Sequence, residues 1–161
     1  MTFYDPHNST AQESVTRARD AARRLGVELL ERPVASVDEL RAGLRALRPG
    51  EADAYFQVTD SIVSRQADLI IQTAVAKRLP TMVQDKEMVA KGALASYGIN
   101  YYIVGQLLAK SVQRVLLGAN PGDLPVEQVD RLHFVINLKT AKAIGLTIPQ
   151  PVLARADELV R

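Results

Sequence analysis

Two aspartates stand directly behind apolar runs: Asp60 after residues 52–58 and Asp85 after residues 81–83. A carboxylate in such a place can accept hydrogen bonds, pair with an amine, or cap the helix that follows. Thr59, Asp60 and Ser61 form one polar cluster, and Gln84 to Glu87 form another. Residues 5–9, which include Asn8 and Ser9, and residues 33–36 are two more, and the crossover 96–100, which contains Tyr97, is a fifth. Ser9, Thr10 and Ser36 read first as helix caps. Asp60 suits both capping and ligand contact, whereas Asp85 has no strong capping role and reads as a ligand contact. Tyr97, Tyr101 and Tyr102 fit either packing or a binding wall.

Catalytic and metal chemistry find little here. His7 and His133 are too few and too far apart in sequence to argue for a metal site. The sequence has no cysteine, which removes thiolate ligands, thiol nucleophiles and disulfides. The first apolar stub leads into Asp5-Pro-His-Asn-Ser, with no glycine-rich phosphate loop and no nucleophile elbow. Nothing orients Asp60 and Asp85 as an acid pair. The residues point to binding without catalysis and without a cofactor.

The polar clusters share a function only if the fold brings them together. Residues 2–4, 27–30, 52–58, 81–83 and 92–97 read as strands. Between them lie helical patterns. Thr10-Ala-Gln-Glu13 and Ser36-Val-Asp-Glu39 each read as a capping box, and Gly26 as a left-handed stop. A third helix opens at residues 59–61 and ends near Leu79. Strand and helix alternate with short connections, which predicts a three-layer α/β/α fold with a mainly parallel sheet. Residues 27–30, 52–58 and 81–83 are expected to be adjacent buried strands. In such a sheet the strand C-termini meet at one edge, where ligands bind, so Asp60 and Asp85 are expected beside a common cavity.

Asn100 is placed to cap a long helix that buries Ile103, Val104, Leu107, Leu108, Val112, Val115 and Leu116, with Lys110, Gln113 and Arg114 on its opposite face. Residues 133–138 read as a last strand and 139–144 as a short helix. Pro149 and Pro151 lead into a final helix carrying Leu153, Leu159 and Val160.

At 161 residues the chain suits one domain with a sizeable core. A net charge of +2, few aromatics and no basic run interleaved with Tyr or Phe argue against nucleic acid. No run approaches the ~18 apolar residues of a membrane span. The opening MTFYDPHNST lacks the pattern of an export signal.

Longer stretches carry a resemblance. Residues 132–149 (LHFVINLKTAKAIGLTIP) and 152–158 (VLARADE) resemble the C-terminus of the substrate-binding proteins of a bacterial ABC-transporter family. Residues 92–98 (GALASYG), 116–118 (LLG) and 122–126 (GDLPV) fit the same family in order. The resemblance implies a type I periplasmic-binding-protein-like fold, with two α/β lobes, crossing hinge strands and a ligand in the cleft between. Members are roughly twice this long and carry an export signal. Residues 1–91 and 126–161 would then form the second lobe. Residues 92–125, a crossover strand and helix, would belong to a first lobe whose own N-terminal strands are missing here.

Carried over residue by residue, the cleft wall would be Asn8, Ser9, Thr59, Asp60, Ser61, Gln84 and Asp85, with Tyr97 near the hinge. The implied ligand is a small organic solute such as an amino acid, and the implied partner of a full-length protein is an ABC permease. Location would be periplasmic by resemblance, or cytoplasmic if Met1 is the natural start. Without a first lobe, residues 93–96 would lose their sheet neighbours, and the 93–117 segment would be covered in a homodimer. The competing reading is a stand-alone flavodoxin-like signalling domain. A receiver-type domain wants an acidic pair after its first strand and an acid after its third. Only Asp5 and Asp60 stand near such places, and Pro6 follows Asp5.

Overall fold

The computed structural model describes residues 1–129 and 131–161. Its elements are β1 (Thr2–Tyr4), α1 (Ser9–Leu25), β2 (Glu31–Pro33), α2 (Val37–Ala46), β3 (Tyr55–Phe56), α3 (Ser61–Arg65), α4 (Ala67–Ala76), β4 (Thr81–Val83), α5 (Lys86–Ala90), β5 (Ala95–Gly98), α6 (Tyr101–Leu116), β6 (His133–Asn137), α7 (Leu138–Ile144), α8 (Gln150–Leu153) and β7 (Glu158–Val160). The five-stranded sheet has the order β3-β4-β5-β6-β7, parallel except between β5 and β6. A parallel pair, β1-β2, is stitched to it at Met1: the Met1 nitrogen donates to Ala54 O at 2.7 Å, and Phe56 N donates to Met1 O at 2.9 Å. This is a mixed α/β fold with a mainly parallel sheet flanked by helices.

Side-chain alternation on the short strands splits the core. Phe3 and Tyr55 point to one face and pack with Leu40 and Leu44 of α2 and Ile70 and Ala74 of α4. Ile71, Val83, Val89 and Val135 continue that layer under α4 and α5. Ala95, Ile136 and Leu159 face the other way, against Ala141 and Ile144 of α7 and Leu153 of α8. Further along, α1 flanks an open groove beside Phe56.

Several boundaries differ from the sequence reading. Residues 27–30 are not a strand, because α1 ends in a Schellman motif. Gly26 takes φ 66°, and Val27 N donates back to Ala22 O at 3.0 Å, so that N–H is unavailable to a sheet ladder. The strand forms only from Glu31 as β2, which is mostly exposed, and β1 lies between it and β3. Residues 27–30, 52–58 and 81–83 are therefore not three adjacent buried strands; only β3 and β4 pair directly. Within 52–58, only Tyr55 and Phe56 form strand, and the strand expected at 92–97 is β5.

The helix expected from residue 59 onward is broken at Gln66 into α3 and α4. The expected final helix stops at Leu153, and Leu159 and Val160 lie in β7 instead. Asp157 fixes that change: its N donates to Phe134 O, its carboxylate accepts from Phe134 N, both at 2.8 Å, and it also pairs with Arg131.

The long helix departs most. None of the residues of α6 is buried. Val104 and Leu107 are half-buried, whereas Leu108 is 61% and Leu116 81% exposed. Its strand did not lose its sheet neighbours: β5 pairs with β4 on one side and β6 on the other.

Candidate functional site

The C-terminal ends of the parallel strands carry the polar clusters, and side-chain and backbone contacts stitch those ends together in sequence across the sheet. Asp60 makes the first stitch. Its Oδ2 accepts from Asp5 N at 2.7 Å, joining the loop after β1 to the loop after β3, and its Oδ1 accepts from Val63 N at 2.9 Å and caps α3. The residue is 2% exposed. Thr59 and Gln84 make the second: Gln84 Nε2 donates to Thr59 Oγ1 at 3.0 Å, and Gln84 Oε1 lies 3.1 Å from the same hydroxyl. Gln84 O makes the third, lying against Gly98, the last residue of β5.

Capping is distributed differently from the expectation. Asn8, not Ser9, caps α1, accepting from Thr10 N at 3.0 Å and Ala11 N at 3.3 Å, so Ser9 is the first helical residue and exposed. The box expected at Thr10–Glu13 does not form, because Asn8 is the cap and Thr10 already lies inside the helix, while Glu13 pairs with Arg17. The second box does form: Ser36 accepts from Glu39 N at 3.2 Å, and Glu39 accepts from Ala35 N at 2.8 Å. Asp85 has the capping role denied to it, accepting from Glu87 N at 3.0 Å at the start of α5. Ser61 opens α3 and is exposed.

Tyr97 is 54% exposed, and its ring packs T-shaped with that of Phe134, centroids 6.0 Å apart. Those two residues are cross-strand partners, as are Gly98 and His133. The chain thus leaves the sheet after Gly98, builds α6, and returns at His133 in the neighbouring register. Gly98 lay inside the 96–100 cluster without a role of its own, and Phe134 was not among the candidate residues. A glycine required by close backbone approach leaves no periodic signal.

Beneath the edge, Tyr55 is buried. Desolvation first, and the charge of Asp60 second, push its phenol well above the usual range. Among the described residues its hydroxyl has no hydrogen-bond partner. Replacing an unsatisfied buried hydroxyl by hydrogen removes a desolvation penalty. Tyr55→Phe is therefore expected to keep or raise stability, by up to about 1 kcal/mol. Urea unfolding measures this, and a loss of similar size would mean that the hydroxyl has a partner in solution.

Known proteins share this architecture. The family model described as ABC transporter substrate binding protein matches residues 1–160. A tyrosine-binding protein of Clostridioides difficile is 25% identical over 144 residues, covering 89% of this chain and 41% of that protein. Two crystal structures superpose closely. A conserved domain protein of Vibrio cholerae gives a TM-score of 0.82 at 28% identity over 98% of this chain and 53% of its own. An ABC domain in complex with L-Trp from Streptococcus pneumoniae gives 0.81 at 25% identity, over 99% and 55%. The chain thus spans about half the length of these relatives. With the family match running from the first residue almost to the last, the chain belongs to the ABC transporter substrate binding protein family.

Proposed function

We propose that this chain is the solute-binding half of an ABC-type import component, and that its solute is an α-amino acid with an aromatic side chain. The observation that carries the reading is the family match over residues 1–160; the solute would meet the strand-end edge at Asn8, Ser9, Thr59, Ser61, Gln84, Asp85 and Tyr97, with Asp60 buried behind them. The side-chain class comes from the relatives, one named for tyrosine and one holding L-Trp. The chemistry of the edge fits that class. Asp85 can pair with an ammonium group, the polar side chains of Thr59 and Gln84 can hydrogen-bond a zwitterion, and the exposed Tyr97 ring can pack on an aromatic side chain. Binding here involves no catalysis and no cofactor.

In the whole protein, the solute would lie in a cleft between this α/β unit and a second lobe. Residues 92–125 would serve that lobe through α6, whose apolar face would cover it. Closure of the lobes on the solute, followed by delivery to a permease outside the cytoplasm, would be the working cycle. No helix of the described residues is long and apolar enough to cross a membrane. In the chain by itself, a second copy would cover α6.

A thermal-shift series tests the solute. L-tyrosine and L-tryptophan are expected to raise the melting temperature, and L-lysine, L-aspartate and glucose to leave it unchanged. At a free concentration of 100 times Kd the gain is about 2.7 kcal/mol, well within detection. No shift with either aromatic amino acid at millimolar concentration would reject the assignment.

A further inference from the structure

We infer that Gly98 is a positioning residue for the solute edge: its missing side chain lets the loop after β4 close against the exit of β5, and so sets where Gln84 presents its amide. The inference rests on the solute-binding reading for its purpose, but its geometry stands alone. A Cβ built on Gly98 would lie 1.9 Å from Gln84 O, 2.9 Å from Gln84 C and 3.3 Å from Gln84 Cα. These are backbone atoms, so no rotamer change relieves the overlap. The glycine is not there for backbone freedom, because its φ is not positive. It is there for close approach.

One side of this contact must yield when a Cβ is added. Strand β5 is held in register by β4 and by β6, with Gly98 itself opposite His133. Residues 84 and 85 lie beyond the end of β4, and Gln84 is exposed. The loop is therefore the part that moves, by about 1 Å or more to reach ordinary contact. The Thr59–Gln84 contacts of 3.0 and 3.1 Å do not survive a displacement of that size. Gly98 is also where the chain leaves the sheet towards α6. One contact thus ties the polar edge to the point about which a second lobe would swing.

Heteronuclear NMR on the 15N-labelled chain tests this. In Thr59→Val the Gln84 side-chain amide loses its acceptor, and its resonance shifts. In Gly98→Ala the same resonance is expected to shift in the same direction, while the Val135 and Ile136 backbone amides stay in place. A merely structural role would move resonances across the sheet without singling out Gln84. A folded Gly98→Ala chain with its Gln84 side-chain amide at the wild-type position overturns the inference.

If Gly98→Ala does not fold, Thr59→Val decides. Thr59 is exposed, and freeing the loop is expected to move the Gly98 backbone amide; an unmoved Gly98 amide overturns the inference. With L-tryptophan as probe, Gly98→Ala is expected to bind roughly tenfold more weakly, the loss of about one hydrogen bond. It is expected to add nothing further in a Gln84→Ala background. Failure of the wild-type chain to bind L-tryptophan would count against the solute reading alone, because the Gln84 resonance still reports on Gly98.

Discussion

Purified by itself at micromolar concentration, the 161-residue chain is expected to scatter light as a dimer. The cause is α6. Leu108 is 61% exposed, Val112 56% and Leu116 81%, and Ile103 and Val115 lie near 40%. Full burial of one such side chain is worth roughly 1.5–3 kcal/mol, so covering this face in a partner would contribute on the order of 10 kcal/mol. That is the size of a domain's whole stability and exceeds what a single isolated patch usually leaves in water. Among the described residues the face is covered only in part: Val104 and Leu107 are half-buried, and none of the residues of α6 is buried.

A self-complementary contact between two copies closes after one step, which is why a dimer is expected rather than a larger array. Leu108→Glu combined with Val112→Glu tests the surface directly. Both residues are exposed, so the fold should persist while the scattering mass falls to that of a monomer. A wild-type monomer with α6 folded onto its own sheet would refute the dimer, and residual helical content in the double variant guards against mistaking unfolding for dissociation.

Elements set by local chemistry were legible in the sequence, and elements set by distant partners were not. Thr81 to Val83 sits behind Pro80 and before a polar break, and it forms β4 as expected. The Ser36–Glu39 box is local and forms. Val27 to Leu30 has strand composition, yet the cap of α1 claims Val27 N, and no count of β-branched residues reveals that competition. Leu159 and Val160 follow a plausible helix start, yet Asp157 binds Phe134, 23 residues away, and β7 results.

At the candidate edge, the residue types were readable because strand ends in a parallel sheet converge. Their assignments were less so. Asp85 looked free because α5 has only five residues, too few to show a helical period. The apolar stripe of α6 was visible at once, but a stripe says only that something covers it. The close-approach role of Gly98 could not be read for the opposite reason, since it is defined by the backbone of Gln84 and not by any neighbour in sequence.

Asp60→Ala is expected to destabilise the chain by about 2–4 kcal/mol. Two losses combine. Val63 N loses its cap, which typically costs about 1 kcal/mol. Asp5 N, now bonded at 2.7 Å to Oδ2, is left in a partly buried position without an acceptor, which costs about 1–3 kcal/mol. For a domain of this size, the combined loss corresponds to a fall in Tm of roughly 5–15 °C.

Asp60→Asn separates the two losses. One amide oxygen can still serve one N–H, but the amide nitrogen is itself a donor and would face the other. The Asn variant is therefore expected to lose about half as much as the Ala variant, and Ser61→Ala, at an exposed position with no cap to lose, to lie within about 0.5 kcal/mol of wild type. Urea unfolding of the three variants ranks them. If Asp60→Ala unfolds with the wild-type midpoint, Asp60 does not anchor the loops after β1 and β3. If the ranking is Ala, then Asn, then Ser61→Ala, Asp60 sets the shape of the edge, and Thr59, Gln84 and Asp85 are left to make the contacts.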